Sequence, residues 1–255
     1  MLELHTHGTV REIRLNRPPA NALNPDLVIA LRGELSQAVA DGAEGIVLSG
    51  SLKMFSGGLD VPHLLTLDHG GILELWRDFY GLMRDLAASP VPLAAAITGH
   101  APAGGAVLAM YCDHRVMAES PDPSRPVRIG LNEVQVGLAM PPVIYRVLVH
   151  VVGERQAGRM CTEGLMLTSA EARAVGFVDQ LAAPDAVVPA ALAWCEGVLR
   201  LPRKAMLETR RLSRAALVAE LDRGFEEVAA LADLWFEPET QAGLTALVAS
   251  LKKKG

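Results

Sequence analysis

Three short segments hold residue types that could do chemistry together. The first is Phe55-Ser56-Gly57-Gly58-Leu59-Asp60, which follows an apolar run. Consecutive glycines reach backbone conformations closed to other residues and let a ligand approach the main chain. The second is Gly99-His100-Ala101-Pro102-Ala103-Gly104-Gly105-Ala106, which also follows an apolar run and opens a helix. The first turn of a helix leaves N–H groups unpaired at the positive end of its dipole. Such donors suit an oxygen that gains negative charge during a reaction. The third is Ile129-Gly130-Leu131-Asn132-Glu133-Val134-Gln135-Val136-Gly137-Leu138, where Glu133 is the single carboxylate. A carboxylate among apolar neighbours holds its proton more tightly and can pass it on near neutral pH. Each segment has a plain alternative: a tight turn, a closely packed helix start, or an exposed or capping Glu. Two glycine loops leaving one sheet edge favour the chemical reading.

The elements that must position these segments follow from spacing. Val10–Leu15 alternates apolar and polar residues, as a half-buried strand does. Gly45–Ser49 and Leu93–Ile97 are continuous apolar runs of buried-strand length, and Arg115–Ala118 reads as another strand. Asn24-Pro25-Asp26 starts a helix, with Leu27, Leu31, Leu35 and Val39 on one face. Ile72, Leu75, Trp76, Phe79, Leu82, Met83 and Leu86 keep helical spacing until Ser89-Pro90-Val91-Pro92 breaks it. Thr168-Ser169-Ala170-Glu171 is a capping box, Gly176 closes its helix, and Val178–Leu181 reads as a last strand. Beyond it, helices are divided at Leu201-Pro202 and Glu237-Pro238. The reading is an α/β core over residues 1–184 and a helical C-terminal region over 185–255. Open α/β folds place ligands in loops at the carboxyl ends of their strands, where both glycine pairs fall.

Composition narrows the class of function. The chain has 255 residues, half of them apolar and 21% charged, with a net charge of -5. That balance lacks the basic footprint of a nucleic-acid binder. Lys252, Lys253 and Lys254 form the only basic run and read as a solvated tail. No apolar stretch reaches the ~18 residues a spanning helix needs. Cys112, Cys161 and Cys195 are far apart with no C-x-x-C, and the seven histidines show no H-x-x-x-H. No metal site and no disulfide framework are expected. The N-terminus lacks a signal or transit pattern, so the expected place is the cytoplasm, or an organelle after removal of a presequence.

The three segments, in this order and joined by Arg17-Pro18-Pro19-Ala20-Asn21-Ala22-Leu23-Asn24, resemble the crotonase superfamily, the enoyl-CoA hydratase/isomerase family. The resemblance covers essentially the whole chain. It implies a spiral of ββα repeats with a helical trimerisation region, and subunits joined as a homotrimer or a dimer of trimers, with C-terminal helices packing across the subunit boundary. It also implies an acyl-CoA thioester substrate, with coenzyme A as part of that substrate and no separate cofactor. By matching positions, the N–H groups of Leu59 and Gly104 would bind the thioester oxygen. Ala20, Ala22 and Leu23 match contacts on the adenine side of CoA, and Gly58, Asp60 and Val61 fall in the segment that lines the thioester. Trp76, Phe79 and Met83 read as core that could also wall an acyl tunnel.

The family's hydratases use two glutamates. The first of those positions is Val107 here, and the second matches Glu133. A lone Glu suits an isomerase that shifts the double bond of a 3-enoyl-CoA to the 2-trans position in fatty-acid β-oxidation. The segments Cys112-Asp113-His114-Arg115, His100–Gly105 and Ile129–Leu138 are similar to mitochondrial-type Δ3,Δ2-enoyl-CoA isomerases. A hydratase or other lyase of the same fold is the alternative, followed by a non-catalytic acyl-CoA binder. Val107 speaks against the first and Glu133 against the second.

Overall fold

The computed structural model describes residues 1–253, so Lys254 of the basic run lies outside the described residues. The chain opens with a hairpin of β1 (Leu2–His7) and β2 (Val10–Leu15), followed by α1 (Pro25–Ala40). The Asn24 side chain caps α1 by accepting from the Leu27 N–H at 3.0 Å. Next come β3 (Gly45–Ser49), the one-turn α2 (Val61–Leu64) and α3 (His69–Ala87). A second repeat holds β4 (Leu93–Ile97), β5 (Ala101–Pro102) and α4 (Gly104–Met110). A third holds β6 (His114–Ala118), β7 (Arg128–Gly130), α5 (Pro142–Val152) and α6 (Glu154–Glu163). β8 (Met166–Thr168), α7 (Ser169–Ala174) and β9 (Gln180–Ala182) end the α/β part. The rest is α8 (Val187–Leu199), α9 (Arg203–Gly224), α10 (Val228–Trp235) and α11 (Pro238–Lys252).

Six strands form one sheet in the order β1-β2-β3-β4-β6-β9, and three form a second in the order β5-β7-β8. In the large sheet β1 runs antiparallel to β2, and the remaining neighbours are parallel. β3 and β4 are buried on both faces, as central parallel strands covered by helices must be. The two-residue period sorts their side chains cleanly. Ile46, Leu48, Leu93, Ala95 and Ile97 face the main core under α1, α3 and α4. Val47, Ala94 and Ala96 face Val187, Ala191 and Cys195 of α8 on the opposite side. The repeats that begin at β4 and β6 each give a strand to the large sheet, a short strand to the second sheet and at least one helix.

Several differences from the sequence reading have physical causes. β1 pairs with β2 as an edge strand although its His/Thr-rich sequence carries little apolar signal. β5, β7 and β8 have two or three residues each, too few to show a period. The last strand begins at Gln180, because the Asp179 carboxylate accepts from the Arg115 N–H at 2.8 Å and fixes the turn before it. α8 belongs to the sheet's second face. α9 and α10 lie on α3, and α11 folds back on its own chain against α2 and the turn Glu133–Val136.

Ion pairs fasten α9 to the core. Arg214 is buried and donates to the Ala87 carbonyl at 2.7 Å, to Asp113 at 2.9 Å and to the Tyr111 carbonyl. Asp113 also accepts from Arg210 and from the Leu93 N–H, each at 2.8 Å. Among the described residues no helix is long and apolar enough to cross a membrane, and no cluster of His, Cys, Asp or Glu could hold a metal ion.

Candidate active site

The ends of β3 and β4 send two loops to one place. The Phe55 N–H donates to the His100 carbonyl at 2.9 Å, so the loops run side by side. Leu23 lies beside Leu59: its N–H donates to the Gly58 carbonyl at 2.7 Å and its carbonyl accepts from Asp60 at 2.9 Å. Gly58 has φ +83°, and a Cβ there would lie 3.1 Å from the Gly104 nitrogen. A Cβ on Gly105 would lie 2.4 Å from the Ser56 carbonyl oxygen. Only glycine allows this approach of backbone to backbone. Ala103, which precedes α4, is held at φ +46° although it carries a Cβ. Its N–H donates to the Gly130 carbonyl at 2.8 Å, and this bond helps to hold a conformation that costs about 1–3 kcal/mol.

The result is two free donors. The Gly58, Asp60 and Ala103 N–H groups are all engaged. Among the described residues the intervening Leu59 N–H and Gly104 N–H have no protein acceptor. The Arg17–Asn24 segment is stitched to the same loop. The Asn21 side chain donates to the Met54 and Phe55 carbonyls, each at 3.1 Å, and the Gly57 N–H donates to Ala20 at 2.8 Å. Arg17 pairs with Asp60 at 2.6 Å.

A cavity of about 740 Å³ collects these parts. Leu59, Gly104, Glu133, Ala20, Ala22, Asp60 and Val61 all line it. Leu23 and Gly58 do not reach it; they lie behind the wall and hold Leu59 and Gly104 in register. Trp76 and Phe79 line the cavity, as does Val107, whereas Met83 stays in the core. Tyr111 and Tyr145 are not part of the lining, and His100 sits beside it accepting from the Arg128 N–H at 3.2 Å.

Sequence reasoning missed Asn132, Trp235, Leu244, Leu247 and Leu251, which also line the cavity. The three leucines recur at i, i+3 and i+7, so one helix face was readable, though not what it covers. Asn132 stands directly before Glu133, and its Oδ1 is buried without a donor.

Glu133 opens a single tight turn that Gly137 closes at φ +75°. Its side chain is 8% exposed, and Oε2 has no hydrogen-bond partner. Burial pushes the carboxyl up to about 7, against a small opposing effect of its own backbone N–H. Asp60 is the other carboxylate in the lining, and Arg17 neutralises it. The cavity thus joins two unpaired N–H donors to one acid poised to exchange a proton near neutral pH.

Residues 5–253 match the family model described as Enoyl-CoA hydratase/isomerase. The chain belongs to the enoyl-CoA hydratase/isomerase family. A Rhizobium meliloti family member named "Probable enoyl-CoA hydratase" is 33% identical over 255 residues, covering 98% of this chain and 96% of its own. Mouse "Enoyl-CoA delta isomerase 1, mitochondrial" is 30% identical over 223 residues, covering 87% and 76%. The crystal structure of human mitochondrial delta3-delta2-enoyl-CoA isomerase superposes with a TM-score of 0.93 at 28% identity, covering 99% of this chain and 98% of that one. The fold of this family member is therefore the crotonase fold, and its relatives carry both hydratase and isomerase names.

Proposed function

We propose that this family member is a Δ3,Δ2-enoyl-CoA isomerase in which Glu133 is the only proton carrier. The observation that carries the reading is the pairing of an isolated, buried Glu133 with Val107 in one cavity. A hydratase needs a second group to hold and activate water, and Val107 offers only methyl groups to the site. The ionised Glu133 takes a proton from C2 of a 3-enoyl thioester. The electron pair moves onto the thioester oxygen, where the Leu59 and Gly104 N–H groups receive the charge. Conjugation spreads that charge to C4, and the Glu133 carboxylic acid returns the proton there. The double bond is left between C2 and C3. No water and no cofactor beyond the CoA of the substrate take part. Ala20, Ala22, Asp60 and Val61 flank the CoA and thioester portions of the ligand. A homotrimer or dimer of trimers in the cytoplasm is part of the same reading.

One observation favours a hydratase instead. Asn132 Oδ1 lies unpartnered next to Glu133 and could hold a water molecule. An assay of the purified protein with 3-enoyl-CoA and 2-enoyl-CoA separates the two. We expect conjugation of the first without hydration of the second, and Glu133→Gln lowering turnover by at least ~100-fold with CoA binding kept. Efficient hydration of 2-enoyl-CoA would overturn the isomerase reading.

A further inference from the structure

We propose that α11 is a positioning element for Glu133, acting through Gly243, and that it completes the site from within the same chain. The proposal rests on the reading of Glu133 as the proton carrier. The turn that holds Glu133 ends at Val136-Gly137, and α11 presses directly on that end. A Cβ on Gly243 would lie 2.1 Å from the Val136 carbonyl oxygen and 2.6 Å from its carbon. A Cβ on Gly137 would lie 3.1 Å from the Glu239 carbonyl oxygen. The Thr240 hydroxyl donates to the Gly137 carbonyl at 2.8 Å. Helix and turn therefore meet backbone to backbone, with no flexible side chain between them to give way.

The other side of the turn is fixed by the end of α6. Gln135 Nε2 donates to the Gly164 carbonyl at 2.8 Å. The turn is clamped between two helix ends, and the same α11 carries Leu244, Leu247 and Leu251 into the cavity wall. One helix thus holds the carboxylate in place and shuts water away from it. Of the groups facing the carboxylate, α6 contributes the Cys161 thiol, which burial first and the Glu133 charge second push up to about 11. From α11, Thr240, Gly243 and Leu244 carry no titratable group, and Glu239 touches the turn through its carbonyl while its side chain is exposed. Burial is therefore the influence that holds the Glu133 carboxyl high, and Leu244, Leu247 and Leu251 of α11 wall the cavity that it faces.

The test is carbon-13 NMR titration of side-chain carboxyls in the full chain, with the Glu133 signal identified by its loss in Glu133→Gln, alongside 3-enoyl-CoA kinetics. Gly243→Ala must separate helix from turn. We expect its Glu133 midpoint to fall toward the ordinary carboxylate range by about one pH unit or more. We expect kcat to fall ~10-fold or more while KM changes less than about 3-fold. Thr240→Val removes one hydrogen bond at nearly constant volume, and should move both readouts the same way by less. It decides the matter if Gly243→Ala does not fold by circular dichroism. An unchanged midpoint in the folded variant would overturn the proposal, even if turnover fell. A wild-type chain that fails to isomerise, but whose Glu133 midpoint still falls in Gly243→Ala, would sink the isomerase reading and leave the positioning role standing.

Discussion

At the residue scale the central fact is a carboxyl group held high by burial, with no cation beside it. That arrangement has a stability consequence whose sign is fixed. Between an ordinary value of 4.5 and about 7, the folded protein binds more protons at Glu133 than the unfolded chain does. Stability therefore falls as pH rises through that window, and is flat with respect to this group above it. A lift of this size corresponds to about 3 kcal/mol of buried-charge cost at pH 8. Glu133→Gln keeps the shape and removes the charge. Denaturant unfolding should show the variant more stable than wild type at pH 8, by on the order of 1–3 kcal/mol, and nearly equal to it at pH 4.5. Equal gains at both pH values would mean that the gain does not come from removing a buried charge. The sequence made Glu133 legible as an acid among apolar residues, but not the orphaned Asn132 beside it. An Asn in a loop has too many ordinary uses to stand out.

At the scale of elements, what positions the two N–H donors is the seam between the loops after β3 and β4. Gly58→Ala would set a methyl group against Gly104 at a positive φ, so the loops must part. We expect a loss of ~100-fold or more in kcat, the size seen when an oxyanion donor is removed, with the melting temperature lowered only a few degrees. Steady-state kinetics next to a thermal melt would check this, and retained turnover would show that the seam tolerates separation. β3, β4 and the start of α1 were readable from sequence to the residue, because apolar runs and an Asn-Pro-Asp cap are local signals. β5, β7 and β8 were not, because a two- or three-residue strand is defined by its partners. For the same reason Trp235 and the Leu244, Leu247 and Leu251 face could be assigned to helices but not to the cavity. Their destination depends on where α10 and α11 dock.

At the scale of the molecule, the helical region is held to the α/β core by a few specific ties. The Arg214–Asp113 pair is the most deeply buried of these, and it bridges α9 to the turn before β6. Arg214→Leu leaves Asp113 short of one partner and frees the Ala87 and Tyr111 carbonyls. Breaking a buried pair from one side typically costs about 3–5 kcal/mol, and equilibrium unfolding should register a loss in that range. The large sheet also acts as a partition. The cavity and most of the apolar interior lie on one side, while the other side is a smaller layer, with Val10, Val47, Val116, Ala94, Ala96 and Ala118 packed under α8. A layer so lightly built can open without disturbing the rest. Amide hydrogens of α8 should exchange with deuterium well before those of α3, and should do so equally with or without a ligand in the cavity. The protein would then carry its looseness on the face turned away from its chemistry, where motion leaves the two donors and the acid undisturbed.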